Sequence, residues 1–232
     1  EDIFNSFSLG IGKDGVPGYP LIDAYLTGKE LKLVAEVDAS VSDFMTTARL
    51  YCSGLNFTYN PNRMILNKVT DCYLTRKDGE RIEIQDDQLY HVVTDLYTGQ
   101  MLGSVMKMSY GLLSLEPKDS DGNPIENLED QAIMEDDKEL KAWDAIARYM
   151  QSFEDTDGDG IANVPEYYET THGRKVVEDS RNIIDLVKQP NKFSAMIAGI
   201  CLIFIVIIVL VVFLIRRMIR RIKVRKGKRN SK

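Results

Sequence analysis

Oxygen-bearing side chains recur at fixed spacing in the segment EDTDGDGIANVPE, residues 154–166. Calcium takes six to eight oxygen ligands, and an EF-hand loop of twelve residues supplies them from positions 1, 3, 5, 7, 9 and 12, with glycine at position 6. Counted from the first aspartate that follows Glu154, position 6 is Gly160, and every ligand position is filled, by Asp155, Asp157, Asp159, Ile161 through its carbonyl, Asn163 and Glu166. We therefore predict a structural calcium site, with the Ile161 side chain turned to the core. The alternative is a solvated Asp/Gly-rich turn without metal.

A loop of this kind needs a helix before it. The segment DDKELKAWDAIARYMQSF predicts a helix over residues 138–153, because apolar residues recur at helical spacing. Asp136 or Asp137 is suited to cap its start. The exit, with Pro165 and YYETTHG, predicts only a short helix. A single loop should bind calcium loosely, which is adequate outside a cell, where sites of about 10⁻⁴ to 10⁻³ M occur.

Catalytic metal chemistry finds little support in these residues. A two-metal phosphatase needs several histidines with Asp and Asn ligands, whereas the sequence holds only His91 and His172. We interpret both as structural and predict no catalytic residue. Cys52 and Cys72 lie in strand-like segments, where they either pair or remain buried free thiols, which we favour.

The apolar run FSAMIAGICLIFIVIIVLVVFLI, residues 193–215, contains no charged side chain. At ~1.5 Å per residue it reaches ~34 Å, enough to cross a bilayer core of ~30 Å. The run RRMIRRIKVRKGKRNSK follows, and dense Lys and Arg beside a span stay on the cytoplasmic side. We predict a single-pass protein of the cell membrane, with the C-terminus in the cytoplasm, the preceding residues extracellular, and membrane lipid as a partner.

The charges divide at the same place. All 35 acids precede Phe193, and ten of the 29 Lys and Arg follow it, so the first 192 residues carry 19 − 35 = −16. Such an acidic part repels phosphate backbones, which excludes nucleic acid as its partner.

Strands and helices mix in the first 135 residues without a strict βαβ rhythm, which indicates an α+β fold. Leu21, Asp23 and Tyr25 alternate as in a strand, and helical spacing begins near Gly28. The Asp78-Gly79 pair is a strong hairpin signal. Further strands are predicted within residues 48–60, with a break at Ser53-Gly54, and within residues 68–84 and 89–98.

Three segments in this order, GYPLIDAYLTGKELK, LYCSGLNFTYNPNR and YHVVTDLYTG, resemble the C-terminal domain of the 5'-nucleotidase family. The resemblance covers roughly residues 1–115. It implies an N-terminal metallophosphatase domain that holds a pair of divalent metals and performs the hydrolysis. It also implies that the C-terminal domain holds the nucleoside between two aromatic rings, while an Asp reads the base.

The resemblance carries over to three positions. Tyr97 falls where one stacking aromatic belongs, and Arg49 falls where the other belongs. Gly103 replaces the base-reading Asp. An Arg stacks on a base or binds a phosphate, so the substrate-binding candidates are Tyr97 and Arg49, for a nucleoside or a small phosphate ester.

We thus expect a membrane-anchored, extracellular part of a 5'-nucleotidase-like phosphohydrolase of nucleotide catabolism, a hydrolase family whose two-metal site this chain lacks. Because the sequence starts at Glu1 and not at Met, either a signal peptide has been removed or the sequence is a piece of a longer protein. We favour the piece, and we expect an upstream metallophosphatase domain of the parent chain as the partner. The alternatives are a non-enzymatic, calcium-stabilised surface module and a binding domain for another small ligand. The expected parts are a 5'-nucleotidase C-terminal-like domain (1–135), a helix with an EF-hand-like loop (136–170), a stalk that stays polar or packs back on the domain (171–192), a transmembrane helix (193–215) and a basic cytoplasmic tail (216–232).

Overall fold

The computed structural model describes residues 1–42, 44–46, 49–108 and 113–229, which form a mixed α/β arrangement. Within these ranges the strands are β1 (Leu21–Thr27), β2 (Leu55–Tyr59), β3 (Val69–Thr75), β4 (Arg81–Glu83), β5 (Leu89–Asp95), β6 (Met134–Glu135), β7 (Lys138–Glu139) and β8 (Lys175–Val177). The α-helices are α1 (Asp2–Phe7), α2 (Gly28–Val41), α3 (Leu96–Met108), α4 (Ala142–Gln151), α5 (Ile183–Val187) and α6 (Lys192–Arg229). Short 3₁₀ turns occupy Leu128–Gln131 and Glu166–Glu169.

The described strands form three small sheets. β1 pairs antiparallel with β5, so that Tyr25 lies opposite His91. A second sheet has the order β4-β3-β2-β8, and its β8 edge is parallel to β2. β6 and β7 form a hairpin. The predicted hairpin between β3 and β4 is confirmed, and Gly79 in its turn has a φ of 88°, which glycine adopts without strain.

The turn from β1 into α2 is fixed by local chemistry. The Thr27 hydroxyl accepts the backbone N–H of Glu30 while the Glu30 carboxylate accepts the Thr27 N–H, which is a capping box. A Cβ on Gly28 would lie 2.1 Å from the carbonyl oxygen of Gln85, so only glycine fits.

Helix α2 buries two faces. One face packs Leu31 and Val34 against Leu26, Leu55 and Ile84. On the other face, Ala35 and Ala39 pack against the aromatic ring of Phe57 on β2. The helix thereby holds the two larger sheets together.

The predicted helix over residues 138–153 is wrong at its start, because α4 begins only at Ala142. Asp136 and Asp137, expected as its cap, have φ values of 47° and 61° and form the turn between β6 and β7. Leu140 continues this pairing, since its N–H donates to Ile133 and its carbonyl accepts the N–H of Leu21. Long-range strand bonds therefore override the local helix pattern.

Two of the predicted strand regions form shorter strands. In the region 48–60, the part after the predicted break at Ser53-Gly54 forms β2 from Leu55, whereas the described residues before the break form no strand. The segment 89–98 leaves the sheet at Asp95. The carboxylate of Asp95 accepts the backbone N–H and the hydroxyl of Thr98, which begins α3 directly after β5.

The segment expected as a stalk packs back on the domain. Its β8 joins the sheet beside β2, and the buried Arg63 of the β2–β3 loop donates to the carbonyl oxygens of Asp185 and Lys188. Helix α6 follows at Lys192. Its stretch Lys192–Arg220 is long and apolar enough to cross a membrane.

Candidate functional site

Tyr97 lies in the first turn of α3, just beyond the end of β5. Its ring stacks on Tyr19 with centroids 5.7 Å apart and an interplanar angle of 30°. The other neighbour of the Tyr19 ring is the backbone of Gly10. A Cβ at residue 10 would lie 2.4 Å from the Tyr19 ring, so the close packing requires glycine there. Tyr97 is 44% exposed, so part of the ring is open to a ligand. The sequence pattern does not predict the role of Tyr19, because its ring contact with Tyr97 joins segments almost eighty residues apart.

Arg49 lies elsewhere, in the segment that connects α2 to β2. Its backbone N–H donates to the carbonyl of Thr46, and the next residue, Leu50, donates to the Asp38 carboxylate at 2.6 Å. Among the described residues, no hydrogen bond or ring contact joins Arg49 to Tyr97. The aromatic ring that pairs with Tyr97 is thus Tyr19. The predicted substrate-binding role of Arg49 stays a prediction.

A cavity of about 750 Å³ opens between α2, β3 and the start of α6. Its lining includes Lys29, Glu36 and Asn191, but neither Tyr97 nor Arg49. The carboxylate of Glu36 accepts the backbone N–H groups of Lys68 and Val69 at 3.0 and 2.9 Å. Burial raises the pKa of Glu36 above its usual value, and these hydrogen bonds offset the effect only in part.

The acidic loop gathers the carboxylates that the sequence predicts. Ligand oxygens of Asp155, Asp157 and Asp159 lie within 4.8 Å of one another. The Asp155 carboxylate accepts the N–H groups of Gly160 at 2.9 Å and of Gly158 at 2.7 Å, and these hydrogen bonds hold its pKa below the usual value. Three carboxylates at this spacing fit the oxygen donors that calcium prefers.

The later ligand positions of the loop, residues 161, 163 and 166, are not gathered with the three aspartates in the same way. The Asn163 side-chain oxygen accepts the Thr156 N–H at 2.6 Å, and Glu166 begins a 3₁₀ turn. The Ile161 side chain is 68% exposed, which contradicts its predicted direction toward the core. The reason is that no second loop lies beside it in the described part of the chain.

Aromatic residues tie the two ends of this loop together. Tyr149 and Phe153 at the end of α4 contact Tyr168 in the exit turn, with centroids 6.5 and 5.6 Å apart, and the two tyrosine hydroxyls share a hydrogen bond. Tyr167 stacks on His172 at 3.8 Å. These aromatic contacts therefore hold the two ends of the loop close together.

The other candidate side chains have structural partners. His91 contacts the carboxylate of Asp23 at 3.2 Å across the β1–β5 pair. Cys52 and Cys72 are free thiols that pack against the Leu26 cluster. Burial raises the pKa of the Cys72 thiol to about 12, which leaves it protonated and unreactive at neutral pH.

Fold and site together define a mixed α/β domain with a partly exposed aromatic pair, followed by an acidic loop and by a helix long and apolar enough to cross a membrane. Residues 18–108 match the family described as 5'-nucleotidase, C-terminal domain. This match confirms the resemblance of these residues to the C-terminal domain of the 5'-nucleotidase family.

Solved structures similar to the chain include two nucleotidases. A 5'-nucleotidase precursor from Thermus thermophilus has a TM-score of 0.46 and 15% identity over 70% of this chain and 26% of its own. The NAD nucleotidase of Haemophilus influenzae has a TM-score of 0.30 and 20% identity over 40% of this chain and 18% of its own. The chain thus spans about a quarter or less of the length of these proteins. No curated protein matches it.

Proposed function

We propose that the chain is the substrate-side, membrane-anchored C-terminal part of an extracellular 5'-nucleotidase-like phosphohydrolase. The observation that carries this proposal is the family match over residues 18–108. With only two histidines in the sequence, the proposed division of labour places the pair of divalent metals in a metallophosphatase domain outside these residues. The present domain then contributes the surface that holds the nucleoside or phosphate ester.

Tyr97 is the proposed stacking platform for a base. One side of its ring is supported by Tyr19, which keeps the ring in place before a ligand arrives. Stacking of a base on an aromatic side chain contributes about 1–3 kcal/mol. In this proposal Arg49 contributes a cation to the base or the phosphate.

The test uses the protein expressed from its complete gene in membranes. Tyr97→Ala should raise the KM for AMP about fivefold or more, because stacking of about 1–3 kcal/mol is lost. It should leave the KM for a phosphate ester without a base unchanged. Tyr168→Ala, which removes another partly exposed tyrosine, is the matched control and should change neither. An unaltered KM for AMP in Tyr97→Ala removes this residue from the site.

The anchoring is proposed to be single-pass. The apolar stretch of α6 and the basic residues that follow it support an extracellular domain and a cytoplasmic C-terminus. Protease added to intact cells should digest the domain and spare the basic end; the reverse pattern would exclude this orientation.

The acidic loop is proposed to bind calcium as a structural ion that rigidifies the connection between domain and span. With Asp155, Asp157 and Asp159 close together and exposed, a loose site of about 10⁻³ to 10⁻⁴ M suits extracellular calcium. At 10 to 100 times this dissociation constant, binding should stabilise the fold by about 1.4 to 2.7 kcal/mol.

Thermal unfolding of the chain in nanodiscs tests this role. Calcium should raise the Tm over a chelator baseline, and Asp157→Asn should abolish the rise. Asp87→Asn is the matched control, because Asp87 is an exposed aspartate in the turn between β4 and β5, outside the acidic loop. A Tm that ignores calcium and chelator alike rules the site out.

The second candidate function is a non-enzymatic surface module stabilised by calcium. The observation that favours it is Gly103, which stands on α3 where the family resemblance implies a base-reading carboxylate. Phosphate release by the product of the complete gene distinguishes the two, since a surface module releases none.

A further inference from the structure

The first turn of α6 belongs to the domain rather than to a free span. Phe193 is 4% exposed and packs with Val37, Leu66 and Leu113. Asn191 caps the helix, since its side-chain oxygen accepts the N–H groups of Phe193 and Ser194, both at 3.0 Å. The Asn191 amide also donates to the carbonyl of Leu66 at 2.6 Å.

Because of this attachment, no flexible linker separates the domain from the apolar stretch of α6. The apolar residues left for lipid are 194–215, which reach ~33 Å at ~1.5 Å per residue. A bilayer core is ~30 Å thick. If α6 spans the membrane, the surface around Phe193 must therefore lie at the level of the lipid headgroups.

An exposed apolar patch occupies this same end of the domain. It consists of two residues in the β2–β3 loop and three on α5, and their side chains are 38% to 76% exposed. We call this surface the rim patch; its residues are Met64, Ile65, Ile183, Ile184 and Val187. Its two segments are fastened together by Arg63, whose guanidinium donates to carbonyl oxygens of Asp185 and Lys188. Val187 precedes the start of α6 by only five residues.

The charges beside the rim patch suit a lipid surface. Arg181, Lys188 and Lys192 are exposed around it. Apolar side chains flanked by Lys and Arg are typical of protein surfaces that lie in the headgroup and upper acyl region. Exposed apolar patches of this kind mark interaction sites rather than ordinary surface.

We propose that the rim patch is inserted into the outer leaflet of the membrane that α6 crosses, so that the domain lies on the bilayer. The proposal rests on the proposed span. It is distinct from it, because a helix can cross a membrane while its domain stands clear of the lipid. The occupant is lipid because the patch is continuous with α6, whose side chains face lipid in the same proposal.

Tryptophan scanning tests the proposal in the whole chain. The sequence has one tryptophan, Trp143, so the background is Trp143→Phe, or the native chain with its signal subtracted. Single variants Ile184→Trp (rim patch), Ile200→Trp (upper part of α6) and Lys77→Trp (the β3–β4 turn) are reconstituted in phosphatidylcholine–phosphatidylglycerol vesicles. The lipids carry bromine on the acyl chain near the headgroup, which quenches nearby tryptophan.

The β3–β4 turn is a matched control because β3 leads away from the loop that bears Met64 and Ile65 for seven residues, ~20 Å. We expect quenching of Ile184→Trp to reach at least about half that of Ile200→Trp, with almost none for Lys77→Trp. If Ile200→Trp is quenched and Ile184→Trp behaves like Lys77→Trp, the rim patch does not touch lipid. If Ile200→Trp itself escapes quenching, the proposed span is wrong. Protection of Ile184→Trp from both lipid bromine and aqueous iodide would assign the patch to a second copy of the chain and overturn the proposal.

Discussion

Two glutamates of α2 show how the environment of a single residue sets its ionisation. Glu30 and Glu36 are both buried. Burial alone would raise the pKa of Glu30, but Lys118 donates to its carboxylate at 2.7 and 2.9 Å, and with the N–H of Glu116 this holds the pKa below its usual value. Glu36 accepts the backbone N–H groups of Lys68 and Val69, and burial outweighs them, so its pKa is raised. At Glu30, the ammonium group of Lys118 together with the donors of Glu116 and Thr27 outweighs burial.

These directions give a signed prediction. A lowered pKa at Glu30 stabilises the fold above the unfolded value of about 4.3, and the contribution is lost as pH falls through the folded pKa. Glu30→Gln should therefore lower the free energy of unfolding by about 1–3 kcal/mol at pH 7, and the difference from the native chain should shrink below about pH 4. Urea unfolding in nanodiscs at several pH values measures it.

The control is Glu80→Gln, which breaks an exposed ion pair with Arg76 and should change stability by less than about 0.5 kcal/mol. A loss at Glu30 that does not shrink at any pH between 7 and the acid unfolding of the native chain would show that packing, not the carboxylate charge, supplies the stability. Glu36 should contribute to the pH dependence of stability with the opposite sign. Its pKa is raised in the folded state, so the folded state takes up the proton more readily and gains stability as the pH falls.

At the scale of secondary-structure elements, local signals sufficed where one motif decided the outcome. The Asp78-Gly79 hairpin, β1 and the start of α2 near Gly28 are as predicted. The Asp136-Asp137 pair suits both a helix cap and a tight hairpin turn, and the bonds of Leu140 to distant strands decide between them. For the same reason β8 was not foreseen, since three residues pair with a strand more than a hundred positions away.

The candidate site follows the same division. The spacing of the acidic loop predicted a cluster of three aspartates that the structure brings together. Tyr97 was assigned by resemblance, and its partner Tyr19 depends on how α3 meets the segment before β1. No local pattern encodes that contact.

The β6–β7 turn supports a prediction at this scale. Asp137 has a φ of 61°, a conformation that glycine adopts freely and β-branched residues resist. Asp137→Gly should raise the free energy of unfolding by about 0.5 kcal/mol or more, and Asp137→Val should lower it by about 1–2 kcal/mol. Both variants remove the same charge, so their difference isolates the backbone. Equal stabilities, measured by thermal unfolding, would mean that residues 136–137 do not form this turn.

For the whole molecule, the central question is whether domain and span are one unit or two joined by a flexible connection. Phe193 belongs to α6 by sequence and to the core by packing, where it contacts Val37, Leu66 and Leu113. Arg63 and Asn191 add hydrogen bonds from the domain to the segment just before the span. This arrangement makes the start of α6 part of the cooperative fold.

Phe193→Ala tests the coupling in nanodiscs, with urea unfolding of the domain followed by Trp143 fluorescence. A buried Phe→Ala change costs about 3–5 kcal/mol in soluble proteins. If α6 spans the membrane as proposed, the unfolded chain still keeps residue 193 at the lipid interface. The loss is then one of packing more than of transfer from water, and we expect about 1–3 kcal/mol. Val206→Ala, an exposed position in the middle of α6, should leave domain stability unchanged. An unchanged stability in Phe193→Ala would show that the domain folds independently of the helix, and the domain would then be free to move relative to the membrane.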